Sequence, residues 1–179
     1  MGMILPPRLE KGSTIGIFSP SVPITAEAEG AALRAERFLI ENGYKIKHGA
    51  LWGKKRDYKS GTAVERAAEF NSLLYDDEVS CLMASIGGFV SNGMLPYLDY
   101  EYFSLHPKIV VGMSDVTSLL MGLYAKTGVT VYYGPNFVTS FARKRIYAEY
   151  SINALVKAVN EREQCYLLPP AHYSNELIS

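Results

Sequence analysis

The chain has 179 residues, of which 48% are hydrophobic and 20% charged, with 18 basic and 18 acidic side chains. This length suits one ordinary domain, and the apolar content argues against intrinsic disorder. A net charge of zero removes any bulk electrostatic case for nucleic acid or an anionic membrane as a partner.

The first quarter of the chain predicts a strand, a helix and a second strand. A short apolar run over 14–19 predicts a buried strand. Apolar side chains at helical spacing predict a helix over 25–42, with Thr25 as its cap and an Asn-Gly pair at its end. A weaker strand pattern follows over 44–48.

The next elements are a loop, a capped helix and a buried strand. Residues 52–61 are polar and basic and predict a loop. The helix predicted over 62–75 begins with Thr62 and Glu65, which have the spacing of a capping box, and its apolar side chains lie on one face. The apolar run over 79–86 predicts a buried strand.

The rest of the chain continues the alternation. A short helical or turn region is predicted over 95–103, and an apolar strand over 109–112. A helix over 116–126 precedes a strand over 129–133, and a last helix is predicted over 151–160.

This alternation predicts an α/β fold, a mostly parallel β-sheet flanked by helices. In such a sheet ligands bind at the carboxyl ends of the strands. We therefore expect the site among the residues that follow the predicted strands, namely Ser19-Pro20, Gly87-Gly88, Gly112 to Asp115 and Gly134-Pro135.

The sharpest local feature is the passage from the 109–112 strand into the next helix. Ser114 follows the strand by two residues, which is the layout of a nucleophile elbow at a helix N-terminus. The backbone N–H of Asp115 is then a natural donor to an oxyanion. The match to Gly-x-Ser-x-Gly is partial, because Val116 stands where the last glycine would be. Alternatively, Ser114 or Asp115 simply caps the helix.

A second feature is the glycine pair Gly87-Gly88 at the end of a buried strand. Paired glycines let a ligand approach the backbone closely and can offer N–H groups to an oxyanion. The alternative is an ordinary tight turn. The pair lacks the spacing of a dinucleotide-binding or phosphate-binding loop.

No convincing base accompanies this nucleophile. Serine acyl chemistry needs an activating base, usually a histidine held by a carboxylate. The three histidines, His48, His106 and His172, fall in a weak strand end, a loop and the tail. Their positions give no spacing typical of a metal site.

Three absences indicate the compartment that we expect. The apolar runs fall well short of the ~18–20 residues that span a bilayer, and no secretory signal is visible. The two cysteines, Cys81 and Cys165, are too few for a disulfide framework. We therefore expect reduced thiols in a cytoplasmic protein that binds neither membrane nor nucleic acid.

The last residues are typical of an interdomain linker. Pro169 and Pro170 are followed by mostly polar residues. We therefore predict a nucleophile-bearing α/β domain over 1–165 and the start of a linker over 166–179.

Taken together, the motifs resemble the serine peptidase family of LD-carboxypeptidases and microcin C self-immunity proteins. The order of Ile86, Gly87, Gly88, Ser91 and Asn92 is more similar to the self-immunity branch than to the branch with Arg-Gly-Gly-Tyr-Gly. The matching segments cover residues 6–9, 11–16, 19–21, 60–62, 65–67, 86–88, 91–92, 95–100, 107–109, 112–117 and 127–135.

The resemblance implies the N-terminal domain of a two-domain enzyme with a class I glutamine amidotransferase-like fold. It implies that Ser114 is the nucleophile and that the backbone of Asp115, Gly87 and Gly88 forms the oxyanion hole. It also suggests Ser91 and Asn92 as substrate contacts. The Glu and His that complete the triad in this family lie in a separate C-terminal domain, with which nothing in this chain aligns.

The resemblance also implies a reaction. Members hydrolyse an amide bond near a peptide carboxyl end, without a metal or organic cofactor. LD-carboxypeptidases release D-alanine from cytoplasmic murein tetrapeptide, and self-immunity proteins cut the bond between a peptide part and an aminoacyl-nucleotide part. We therefore expect a small peptide-like substrate, no cofactor, almost no activity from this chain alone, and a homodimer when the protein is complete.

Two other hypotheses remain open. The strand ends could bind a peptide or nucleotide without cleaving it, or a self-contained hydrolase could use His106 or His172 as its base. For two charged residues the expectations are structural. Arg66 is predicted to be a surface residue or an ion-pair partner, and Asp115 to cap a helix rather than act as a base.

Overall fold

A parallel sheet of five strands lies at the centre of the computed structural model, which describes residues 4–161 and 169. The strand order is β2-β1-β3-β4-β5, and every neighbouring pair is parallel. The predicted α/β fold is therefore confirmed. The strands are β1 (Thr14–Phe18), β2 (Lys45–His48), β3 (Val79–Ala84), β4 (Ile109–Gly112) and β5 (Tyr132–Tyr133).

Helices cover both faces of the sheet. They are α1 (Ile24–Glu27), α2 (Glu29–Glu41), α3 (Ala63–Tyr75), α4 (Tyr100–Leu105), α5 (Thr117–Thr127), α6 (Phe137–Phe141) and α7 (Arg145–Asn160), with 3-10 turns at Ser91–Tyr97 and Ser114–Val116. Helices α2, α6 and α7 pack on one face, and α3, α4 and α5 on the other. The result is a three-layer arrangement with two apolar cores.

The pleat of the central strands explains the two cores. Successive side chains of a strand point to opposite faces. In β3, Cys81 and Met83 therefore enter the core under α2, whereas Leu82 and Ala84 enter the core under α3. A strand that is buried on both sides has to be apolar throughout, which is why β3 and β4 were visible in the sequence.

The helix predicted over 25–42 is in fact two helices, so this prediction was wrong in detail. Ala28 leaves the helical region, with φ −136° and ψ 53°, and separates α1 from α2. The break sacrifices little hydrogen bonding, because the Ala28 carbonyl still accepts the N–H groups of Ala31 and Ala32. Thr25 is not the cap that was predicted. It is buried, and its hydroxyl oxygen accepts the N–H of Gly53 at 3.0 Å.

Other boundaries also differ from the predictions. The strand expected over 129–133 is reduced to Tyr132–Tyr133, with an isolated bridge between Ile4 and Val129. Helix α6 was missed, and α7 begins at Arg145, six residues before the predicted start. The capping box of α3, in contrast, is present as predicted, with Thr62 and Glu65 exchanging bonds.

Two further sequence predictions concern the thiols and the chain end. Cys81 is a free, fully buried thiol, and burial raises its pKa. Cys165 lies outside the described residues, and so does the predicted linker apart from Pro169. Among the helices of residues 4–161, none combines the length and the apolar character that a bilayer crossing requires.

Candidate active site

The loops that follow β1, β3, β4 and β5 meet at one edge of the sheet. The N–H of Val22, after β1, donates to the carbonyl of Gly87, after β3, at 3.4 Å. The N–H of Gly134, after β5, donates to the carbonyl of Gly112 at 3.0 Å. The carboxyl ends of the strands thus come together as the α/β pattern predicts, and they enclose the candidate site.

Ser114 occupies a strained elbow between β4 and α5. Its φ is +64°, a conformation that a residue with a Cβ rarely adopts. Its side chain is exposed, and it starts the 3-10 turn that runs into α5. No side-chain hydrogen bond caps either the turn or α5, so the alternative of an ordinary cap is not what the structure contains. Backbone strain of this kind is typical of functional residues.

Two neighbours hold this elbow in shape. A Cβ on Gly112 would lie 2.6 Å from Cγ1 of Val116, so only glycine permits the tight turn. The buried amide of Asn136, which follows β5, accepts the N–H of Met113 at 3.0 Å. The residue before Ser114 is therefore tied to the neighbouring strand end.

The glycine pair stands directly against the elbow. A Cβ on Gly87 would lie 3.2 Å from the Cβ of Ser114 and 3.3 Å from the backbone nitrogen of Asp115. Gly88 has φ +148°, and a Cβ there would lie 2.3 Å from Oγ of Ser21. Gly88 is thus required by its surroundings, whereas a larger residue at Gly87 would press on the elbow. The structure brings together the groups that the sequence singled out.

The side chain of Asp115 caps neither the 3-10 turn that begins at Ser114 nor α5, so that expectation was wrong. Its Oδ2 accepts the N–H groups of Val90 and Ser91, each at 3.0 Å. The hydroxyl of Ser91, which is fully buried, donates to the carbonyl of Asp115 at 2.6 Å and pairs with Ser118 at 2.9 Å. Asn92 is exposed beside it. Ser91 therefore joins the loop that carries Gly87 and Gly88, which we call the glycine loop, to the elbow.

Arg66, on α3, is buried, so the prediction of a surface position was wrong. Only 2% of it is exposed, and its guanidinium donates to the carbonyls of Pro20, Gly61 and Val90. Burial lowers the pKa of this guanidinium, and the nearby carboxylate of Asp115 acts in the opposite direction. Arg66 thus joins three loops below the site.

Glu69 lies one turn further along α3 and is also 2% exposed. Its two carboxylate oxygens accept the N–H groups of Ser19 and Leu51, both at 2.7 Å. Desolvation raises the pKa of this carboxyl to about 7, although the two backbone donors act to lower it. The sequence held a signal for Arg66 and Glu69 that was missed, since both fall within the apolar stripe of α3 beside Ala67 and Phe70.

The two histidines in the part of the chain that the structure describes, His48 and His106, lie where no base for Ser114 is expected. His48 is exposed and stacks on Trp52, and its Nε2 lies 3.0 Å from Oε1 of Glu36. His106 precedes β4, and the four residues of that strand, at about 3.3 Å each, put it roughly 10 Å or more from the elbow. That exceeds hydrogen-bond reach, so the hypothesis with His106 as base is wrong. His172 lies outside the described residues.

Two features around the elbow were not visible in the sequence. Phe89, next to the glycine pair, and Tyr133, at the end of β5, are 84% and 70% exposed. A cavity of about 380 Å³ lies beside Met113, between the end of β5 and α7. Within the described part of the chain, no group of three or more histidine, cysteine or acidic residues is placed to hold a metal ion.

Comparison with known proteins agrees with this geometry. The profile of the LD-carboxypeptidase N-terminal domain, peptidase S66, matches residues 15–134. The chain is 40% identical to the microcin C7 self-immunity protein MccF of Escherichia coli over 98% of its length, and 48% identical to a putative carboxypeptidase of Vibrio cholerae over 78%. These alignments cover 52% and 42% of the two relatives, so the chain spans about half their length.

Solved structures give the same result. A complex of MccF with glutamyl sulfamoyl guanosine superposes with a TM-score of 0.89 at 40% identity, over 93% of this chain and 50% of that one. A complex of MccF with aspartyl sulfamoyl adenosine superposes with a TM-score of 0.88 at 42% identity, again over 93% of this chain and 50% of that one.

Proposed function

We propose that this chain, which belongs to the LD-carboxypeptidase family (peptidase S66), is the nucleophile-bearing domain of a serine peptidase. The bond attacked is an amide near the carboxyl end of a small peptide-like substrate. The observation that carries the proposal is Ser114, exposed and strained at the carboxyl end of β4, with Gly87 packed against it.

The geometry supports acyl transfer as follows. Oγ of Ser114 attacks the carbonyl carbon, and the carbonyl oxygen becomes an oxyanion. The N–H groups of Asp115 and of the Gly87-Gly88 turn donate to it, at a helix N-terminus where negative charge is stabilised. The proton of Ser114 passes to a base and then to the leaving amine, and water hydrolyses the acyl-enzyme.

The base is the part that we assign to a second domain. In residues 4–161 the carboxylate next to the nucleophile, Asp115, and the buried carboxyl of Glu69 already accept backbone N–H groups, and His106 is out of reach. The relatives are about twice as long as this chain, and the family resemblance implies a Glu and a His in their C-terminal half. We therefore expect the isolated chain to be slower than the complete enzyme by ~10⁴-fold or more.

The substrate that we favour is a peptide part joined to an aminoacyl-nucleotide part, as in microcin C-like compounds. This choice follows from 40% identity to MccF over nearly the whole chain and from MccF structures that hold glutamyl sulfamoyl guanosine and aspartyl sulfamoyl adenosine. The L,D bond of a murein tetrapeptide is the second candidate. It is supported by 32% identity to a probable murein peptide carboxypeptidase of Bacillus subtilis over 75% of the chain.

The experiment compares both substrates in the complete enzyme, meaning this chain followed by a C-terminal domain. Release of the amine or of D-alanine would be followed by mass spectrometry, with Ser114→Ala as the test variant. Ser72→Ala, which changes an exposed serine of α3, is the matched control. We expect Ser114→Ala to abolish turnover and Ser72→Ala to leave it unchanged.

Two outcomes would contradict the proposal. Turnover that survives Ser114→Ala would show that the nucleophile is wrong. Binding of either substrate without turnover in the complete protein would favour the non-catalytic binding module. The cytoplasmic location and the homodimer remain proposals of the same kind, and sedimentation of the complete protein tests the homodimer.

A further inference from the structure

The peptide between Phe89 and Ser91 is held from three directions. Oδ2 of Asp115 accepts the N–H groups of Val90 and Ser91 at 3.0 Å. Oγ of Ser21 accepts the N–H groups of Phe89 and Val90, at 2.9 and 3.2 Å. These bonds join segments that are 24 to 69 residues apart in the chain.

A cation completes the arrangement. The guanidinium of Arg66 donates to the carbonyl of Val90 at 2.9 Å. Asp115 and Ser21 accept the N–H of the same residue, Val90. Ser21 and Arg66 are both buried, so losing the loop as a partner would leave a buried polar side chain with a hydrogen bond unmade. The loop is thus fixed at Val90, two residues beyond Gly88.

The same residue, Asp115, contributes to both halves of the proposed oxyanion hole. Its backbone N–H belongs to the elbow, and its side chain holds the loop that carries Gly87 and Gly88. A rigid link between the two sets of donors matters, because donors must lie about 2.7–3.1 Å from the developing oxyanion. A misplacement of about 1 Å can cost ~10²-fold in rate.

We infer that the side chain of Asp115 is a positioning group that fixes the glycine loop against Ser114, with Ser21 and Arg66 as the other two points of attachment. This inference rests on the proposed function of Ser114. It assigns the Asp115 carboxylate the role of a hydrogen-bond acceptor, and gives it no part in proton transfer.

Two variants separate these roles. Both bonds from the loop end on one oxygen, Oδ2, so an asparagine can present its single carbonyl oxygen at that place. We expect Asp115→Ala to lower kcat of the complete enzyme by ~10²-fold and Asp115→Asn to restore it to within ~10-fold of the parent. Asp99→Ala is the matched control, because Asp99 also accepts a backbone N–H, from Tyr102 in α4, and should leave kcat unchanged.

Amide hydrogen exchange of this chain gives a readout that does not depend on activity. In Asp115→Ala the N–H of Ser91, which Asp115 holds, should exchange at least ~10-fold faster, since an amide that has lost its hydrogen-bond acceptor is less protected. The N–H of Phe89 is held by Ser21 and should keep its rate, and Asp115→Asn should restore protection of Ser91.

The outcomes are distinguishable. If turnover does not depend on Ser114, the proposed function fails, whatever the exchange rates are. If Ser114 is required but Asp115→Ala keeps full kcat, the positioning role is refuted. The same holds if Asp115→Asn is as slow as Asp115→Ala, because then the charge or the proton of the carboxylate is needed, or if exchange at Ser91 does not change.

Discussion

The buried carboxyl of Glu69 should make the stability of the domain depend on pH in an unusual direction. Its pKa is raised from 4.5 to about 7, first because burial disfavours the charged form. Between these two values the folded state keeps a proton that the unfolded state has lost. The free energy of unfolding therefore falls as the pH rises through this window.

The magnitude follows from the same two pKa values. A difference between 4.5 and about 7 corresponds to about 3 kcal/mol of unfolding free energy, since each pH unit contributes ~1.4 kcal/mol. The contribution is fully present below the unfolded pKa of 4.5 and is lost as the pH rises through about 7. Glu69 is almost completely buried, so solvent screening reduces this figure little.

The assay is urea unfolding of the parent and of Glu69→Gln from about pH 5 to about pH 8. Glutamine does not titrate, so the parent's stability relative to this variant should fall by about 2–3 kcal/mol over that range. Glu65→Gln is the control. Hydrogen bonds from Thr62 lower the pKa of exposed Glu65, so the contribution of Glu65 to stability is lost only at more acid pH.

The unfolding free energy of the parent relative to Glu65→Gln should therefore not change with pH over the range in which the value relative to Glu69→Gln falls. A Glu69→Gln difference that is flat or rises with pH would refute the reasoning. It would mean that the N–H donors of Ser19 and Leu51 outweigh the cost of burial.

Three further predictions concern the elbow. Gly87→Ala places a methyl 3.3 Å from the Asp115 nitrogen, on the side where the oxyanion is proposed, so kcat of the complete enzyme should fall by ~10²–10³-fold. In contrast, Gly93→Ala meets only ordinary contacts and should keep its rate; equal rates for the two variants would contradict the assignment. Ser114→Gly removes a Cβ from a φ of +64° and should stabilise the isolated chain by about 1 kcal/mol in urea unfolding; a destabilised variant would show that the elbow is not strained. Asn136→Ala leaves the N–H of Met113 without its partner and should cost about 1–3 kcal/mol by the same measurement; no loss would mean that water replaces the amide.

Much of the fold could be predicted because its signals are local. The strand of 109–112 was found at its observed bounds, since a strand buried on both faces must be a continuous apolar run. The capping box of Thr62 and Glu65 was found because its two partners are three residues apart. Helix α6 was missed, because five residues are too short to show a helical period.

The sequence by itself determined where the chemistry is expected. It located Ser114 after β4 and Gly87-Gly88 after β3, and it indicated that none of the three histidines is a convincing base. These conclusions depend on residue type and on distance along the chain, which the sequence contains directly.

Only the tertiary structure decided how the charged side chains are used. Asp115 was expected to cap a helix and Arg66 to lie at the surface or in an ion pair, yet both hold the loop around Val90. Glu69 attracted no prediction, yet it accepts the N–H of Ser19 from 50 residues away. The physical reason is that these partners are backbone N–H and carbonyl groups, which every residue carries. No local pattern identifies them until the sheet has brought its strand ends together.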